Sequence, residues 1–146
     1  MTFQPDSGSI RWRVHLRSSP AKVYDALATD EGRALYWAER TVESHGVVTF
    51  HFSGHPPVSG PVLLDDPPHR FALEYFGARV EFTLDPDGSG GTDLSLHTTG
   101  VAAVEHCEVV AGWVSVLMAM KAAIDHGVDL RNHDPARSWA TGFLDN

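Results

Sequence analysis

Apolar and basic side chains alternate strictly from Ile10 to Arg17, with Ile10, Trp12, Val14 and Leu16 on one face and Arg11, Arg13, His15 and Arg17 on the other. Side chains alternate across a strand, so the pattern predicts a half-buried β-strand with a solvated basic face, paired with carboxylates of neighbouring strands. The period changes in "SSPAKVYDALATDEGRALYW". Ser19 is placed to cap a helix with Pro20 at its first position, where the missing N–H costs nothing. Val23, Tyr24 and Leu27 share one side of that helix, and Asp30 is placed to cap a second short one ending near Leu35, Tyr36 and Trp37.

From Thr41 to Thr99 the period is two, and turn signals recur. Val48, Phe50 and Phe52 alternate with polar neighbours until "SGHPPVSGP" breaks the strand, and "VLLDD" resumes it before the turn Asp66-Pro67-Pro68. Phe71, Leu73 and Tyr75 form the next apolar set, Gly77 allows a tight reversal, and Val80, Phe82 and Leu84 follow. "DPDGSGG" reads as a hairpin loop leading to Leu94, Leu96 and Thr98. Such hairpin-connected strands form one antiparallel sheet with a single buried face.

The stretch "EHCEVVAGWVSVLMAM" (Glu105 to Met120) has no proline and one internal glycine. At 3.6 residues per turn it places His106, Val109, Val110, Trp113, Val116, Leu117, Met120 and, beyond it, Ile124 on one stripe. Cys107, Glu108, Ala111, Ser115, Met118, Ala122 and Asp125 fall on the opposite side, and Gly127 is placed to end the helix in a left-handed conformation. A sheet with one apolar face and one long amphipathic helix must pack together, which predicts a two-layer α+β fold.

Composition narrows the partners. The 146 residues suit one domain, and 42% hydrophobic against 21% charged residues argues against disorder. A formal net charge of -8 without any Lys/Arg run repels phosphate backbones and anionic lipid heads, so neither nucleic acid nor a membrane is an expected partner. One cysteine, Cys107, excludes an intramolecular disulfide and a Cys-based zinc site. "MTFQPDSGSI" lacks a basic region followed by an apolar run, and no segment reads as long enough to span a bilayer, so a soluble cytoplasmic protein is expected.

"SSPAKVYDALATDE", "VLLDDPPHRFALEY" with its double proline, "FTLDPDGSGGTDLSLHTTG" and "AGWVSVLMAMKAAID" together resemble the activator-of-Hsp90-ATPase-like proteins of the START/Bet v 1-like (SRPBCC) superfamily. The resemblance runs from about Ile10 to Gly127, so residues 1–127 are read as the domain and 128–146 as a tail. It implies a helix-grip fold: a curved seven-stranded antiparallel sheet around a long C-terminal helix, with two short helices after the first strand. It also implies a cavity for an apolar molecule between sheet and helix. Some superfamily branches catalyse reactions there, but no shared catalytic set exists to carry over, and no cofactor is implied. Tyr24 stands where relatives often carry Trp, adding a hydroxyl near the cavity floor.

Candidate chemistry follows from these placements. His106 and Cys107 are adjacent helix residues pointing about 100° apart, which excludes a nucleophile–base pair. His51 and His55 lack ligand spacing to a carboxylate, so no metal site is expected. Asp65-Asp66 and Asp85/Asp87 sit in turns, where Asp bonds its own backbone and does no acid/base work. By phase, Phe50, Phe52, Tyr75 and Phe82 face Trp113, Leu117 and Met120, with Trp12 and Phe71 on the same side. A fully packed core would explain these residues equally well, and the resemblance favours a pocket. Trp37, Tyr24 and His106 are the candidate polar contacts, so the expected ligand set is Tyr24, Trp37, Phe50, Phe52, Tyr75, Phe82, His106, Trp113, Leu117 and Met120. The expected function is binding of a small hydrophobic molecule. A cyclase/hydratase-type enzyme and a co-chaperone-like protein–protein module are the alternatives. Trp139, Phe143 and Leu144 make the tail too apolar for disorder, so it should cover an apolar surface of its own subunit or of a homodimer partner.

Overall fold

A computed structural model describes Gln4 and residues 8–146 of the chain. The N-terminal segment read above for a leader therefore lies largely outside the described residues. The elements are β1 (Ser9–Leu16), α1 (Pro20–Ala28), α2 (Asp30–Arg33), β2 (Arg40–Ser44), β3 (Val47–His51), β4 (Val58–Asp66), β5 (Arg70–Tyr75), β6 (Ala78–Pro86), β7 (Thr92–Thr99) and α3 (His106–His126). The strands form one antiparallel sheet in the order β1-β7-β6-β5-β4-β3-β2. The first strand pairs with the last, from Ser9 opposite Thr99 to Leu16 opposite Thr92. Consecutive hairpins build the rest, and α3 covers the apolar face, giving the predicted α+β helix-grip architecture.

Local chemistry explains the boundaries. Ser19 caps α1 through its hydroxyl, which accepts the Lys22 N–H at 3.3 Å. The cap of α2 is Thr29, not Asp30: its hydroxyl accepts the Gly32 N–H at 3.0 Å, and Asp30 becomes the first helical residue. The Asp30 carboxylate is drawn instead to Arg33. The "SGHPPVSGP" break is shorter than predicted, because β4 already starts at Val58. Gly60 permits this: a Cβ there would stand 1.9 Å from the Glu74 carbonyl oxygen, so only glycine lets β4 run this close to β5. Gly127 ends α3 at φ 65°, with the Gly127 and Val128 N–H groups donating to the Ala123 and Ala122 carbonyls at 3.0 Å.

The stripe of α3 buries Trp113, Leu117, Met120 and Ile124 against the sheet, and Met118 on the far side is exposed. Two placements differ from the helical phase. His106 turns toward the start of β1, its Nε2 lying 3.4 Å from the Ser9 carbonyl. Asp125 has a fully buried side chain that accepts the Arg17 N–H at 2.8 Å, the Ser18 N–H at 3.1 Å and the Ser18 hydroxyl at 2.8 Å. It anchors the β1–α1 turn to the end of α3. The expectation that no segment could span a bilayer also needs correction: Ala103–His126 is long and apolar enough by length and composition. In this fold its apolar stripe, with Trp113, Leu117, Met120 and Ile124, packs on the sheet.

Candidate functional site

The core is not uniformly filled. At one end of the sheet, the β5–β6 reversal, the exit of β7 and the start of α3 lie side by side, because Tyr75 pairs with Ala78 and Arg79 pairs with Thr99. There Ala78 and Gly100 present almost no side chain. On the helix Gly112 faces the same space, and a Cβ added to it would meet nothing within 4 Å. Three small residues on three elements leave a partly open cavity of about 500 Å³. Val80, Val109 and Val116 supply aliphatic wall, and Phe52, His55 and Phe76 stand at the mouth.

The closed side is aromatic. Trp37 lies at the centre of it, with ring centroids 5.4 Å from Tyr75, 4.9 Å from Phe50, 5.9 Å from Phe82 and 5.8 Å from Trp113. These tilted and edge-on contacts suit ring quadrupoles and fix the wall rigidly. The Trp37 indole N–H is buried beside the Tyr75 hydroxyl without closing a hydrogen bond, and the buried Thr98 hydroxyl also has no partner among the described residues. Burial pushes the Tyr75 hydroxyl well above the ordinary tyrosine range, with the neighbouring Trp37 N–H opposing it. At neutral pH the Tyr75 hydroxyl therefore stays protonated.

Of the residues expected at the ligand, Trp37, Phe52, Tyr75 and Trp113 line the cavity. Phe50, Phe82, Leu117 and Met120 belong to the packed core outside its lining. His106 is held at the β1 end as described. Tyr24 is buried in the packed core, outside the cavity lining: its ring meets Phe71 edge-on at 6.0 Å, and its hydroxyl donates to Asp65. Burial, and then the Asp65 hydrogen bond and charge, push that hydroxyl far up. Asp65 is thus a partner of Tyr24 and not merely a turn residue. Gly112, Ala78, Gly100 and Thr98 escaped the sequence reading. Gly112 had a signal, as the lone glycine inside an apolar helix, where it costs about 1 kcal/mol relative to alanine.

Residues 128–146 lie against the same chain as a strap. The Arg131 guanidinium donates to the Ala38 carbonyl at 2.6 Å and the Ala34 carbonyl at 2.7 Å, and Asp129 braces it at 3.0 Å. His133 bridges Glu39 at 2.8 Å and Asp129 at 2.7 Å. Farther along, the Trp139 indole N–H donates to Glu108 at 2.9 Å, and the Ser115 hydroxyl donates to the Leu144 carbonyl at 2.7 Å. Trp139, Leu144 and Asn146 thereby complete one wall of the cavity. Leu144 and Asn146 also border a second space of about 500 Å³, between the strap and Met118 on the outer side of α3.

No protein-family model matches the chain, and no curated protein matches it in sequence. Solved structures match the fold. The Aha1 dimer from Colwellia psychrerythraea is similar at a TM-score of 0.72 and 20% identity, over 82% of this chain and 97% of that one. The AHSA1-like protein from Aeromonas hydrophila gives 0.65 and 17%, over 81% and 96%. CalU16 from Micromonospora echinospora gives 0.66 and 24%, over 80% and 73%.

Proposed function

We propose that this protein binds a small, predominantly apolar molecule in the cavity between the sheet and the N-terminal half of α3. The AHSA1-like helix-grip fold of its structural neighbours is a ligand-binding fold, and that is the premise of the reading. One observation carries it: Ala78, Gly100 and Gly112 leave a space of about 500 Å³ beside a rigid aromatic wall, where side chains could have packed. Pockets of this size and character bury most of the surface of a small ligand. The inner wall offers a neutral Tyr75 phenol and the unpartnered Trp37 N–H and Thr98 hydroxyl, while the lining carboxylates, Glu105 and Glu108, are exposed, and this suits binding better than cyclase- or hydratase-type catalysis. The same reading has the protein soluble and cytoplasmic, with the Aha1 dimer among its structural neighbours as the precedent for a homodimer.

The test is Gly112→Phe. Its ring would occupy the open space without a backbone penalty, and the helix would gain about 0.5 kcal/mol from replacing glycine with a middling helix former. Calorimetric titration with naphthalene-class probes should show binding to the natural protein and none to the variant, whose thermal midpoint stays level or rises. Equal binding by both proteins would sink the reading.

A further inference from the structure

The residues lining the cavity are strongly one-sided in charge. Glu105 and Glu108, both exposed, stand where α3 begins, and among the described residues no lysine or arginine lines the cavity. The nearest basic residue in sequence to its β6 wall, Arg79, alternates to the outer face of the sheet, where it pairs with Glu81 at 3.2 Å. The α3 N-terminus contributes only about half a positive charge, so the two carboxylates outweigh it. The same mouth is ringed by aromatic side chains. Phe52 and Phe76 are 6.0 Å apart and stacked, and Trp139 is tied to Glu108 through its indole N–H. Aromatic faces and carboxylates together attract a cation and repel an anion.

Resting on the proposed binding function, we propose that the ligand is an apolar amine, whose hydrocarbon part fills the cavity while its ammonium group sits at the mouth near Glu105 and Glu108. Phe52, Phe76 and Trp139 would supply ring faces to that group. A fatty or aromatic carboxylate would meet the reverse field and be disfavoured. The protein's overall charge of -8 acts in the same direction at longer range.

The experiment uses three probes of one shape: naphthalene-2-methanamine, naphthalene-2-methanol and naphthalene-2-carboxylate, titrated calorimetrically at neutral pH and low salt. The amine should bind roughly tenfold more tightly than the carboxylate, with the alcohol between them, as expected for partly exposed charges and cation–π contacts. In the Glu105→Gln, Glu108→Gln double variant the spread should collapse to about twofold. The amide oxygen introduced by Glu108→Gln can still accept the Trp139 N–H, so the strap contact survives. Binding of the carboxylate as tightly as the amine, or a preference unchanged in the double variant, overturns the inference and leaves the cavity reading standing. If no probe binds the natural protein, both fail together.

Discussion

Arg33 has a fully buried side chain, and its guanidinium makes four hydrogen bonds. It reaches the Thr41 hydroxyl at 3.0 Å, the Leu27 carbonyl at 2.9 Å, Asp30 at 2.8 Å and Glu43 at 3.3 Å. This one side chain joins α1, α2 and β2 behind Trp37. Removing one member of a buried ionic network typically costs about 3–5 kcal/mol. Asp30 and Glu43 keep partial contact with water, so Arg33→Met should cost less, about 2–3 kcal/mol in denaturant unfolding. Burial opposes charging Asp30, yet the hydrogen bonds from Thr41 and Arg33 and the arginine charge prevail and hold its carboxyl below the ordinary value. A depressed folded-state pKa means stability that is complete above the unfolded value and lost as pH falls through the folded one. The natural protein should therefore lose stability on the acid side of about pH 4, and Arg33→Met should show a shallower acid slope. Phe76 offers the opposite trade. It occupies a left-handed conformation at φ 50° in the two-residue turn with Gly77, a geometry suited to Asn and costly for an exposed aromatic ring. Phe76→Asn should raise stability by about 0.5–1 kcal/mol and weaken probe binding at the mouth, so a variant that gains stability with unchanged affinity would remove Phe76 from the site.

At the scale of elements, the strap is held partly by side chains gripping backbone and partly by the side-chain pairs His133–Glu39 and Trp139–Glu108. Arg131 donates to carbonyls of Ala34 and Ala38, and the Leu144 carbonyl accepts from Ser115. Backbone carbonyls carry no sequence signature. The apolar Trp139, Phe143 and Leu144 could therefore announce that the tail covers something without revealing its path. Its charged clamp is pH-sensitive in two directions. Hydrogen bonds to Asp129 and Glu39 raise the His133 pKa, so its contribution is complete below the ordinary value of about 6.5 and is lost as pH rises through the raised one. Burial disfavours the Asp129 charge, but Arg131 and His133 hold its pKa far down, so its contribution is complete above the ordinary value of about 4 and fades progressively as pH falls below it. Hydrogen exchange of residues 128–146 should accordingly be slowest in mildly acidic solution, after correction for intrinsic rates, and should quicken toward alkaline pH. His133→Gln should flatten that alkaline rise. Deletion of residues 128–146 should lower the thermal midpoint and open the cavity wall formed by Trp139 and Leu144. An unchanged midpoint would mean that the strap contributes nothing to the fold.

Across the whole molecule, fold and cavity differ in how far periodicity reveals them. Alternation in β1 and β5–β7 and the 3.6-residue stripe of α3 determine which face is buried, so the two-layer arrangement follows from hydrophobic matching. The seven-stranded sheet around the helix is implied by the family resemblance alone, and the pairing of β1 with β7 is seen only in the structure. The cavity depends instead on coincidence in space. Ala78, Gly100 and Gly112 are distant in sequence and ordinary singly, and only strand register and helix placement bring them together. For the same reason Phe50, Phe82, Leu117 and Met120 were indistinguishable by phase from true lining residues. All point inward, and only the three-dimensional packing separates filled space from empty. Trp37 and Trp113, which frame the boundary between the two, lie 5.8 Å apart at 64°. Indoles this close and this oblique couple their electronic transitions, so the folded protein carries an optical signature of its own binding wall. The circular dichroism spectrum should contain an exciton couplet that Trp37→Phe or Trp113→Phe abolishes, and that a molecule entering the cavity perturbs without any attached label.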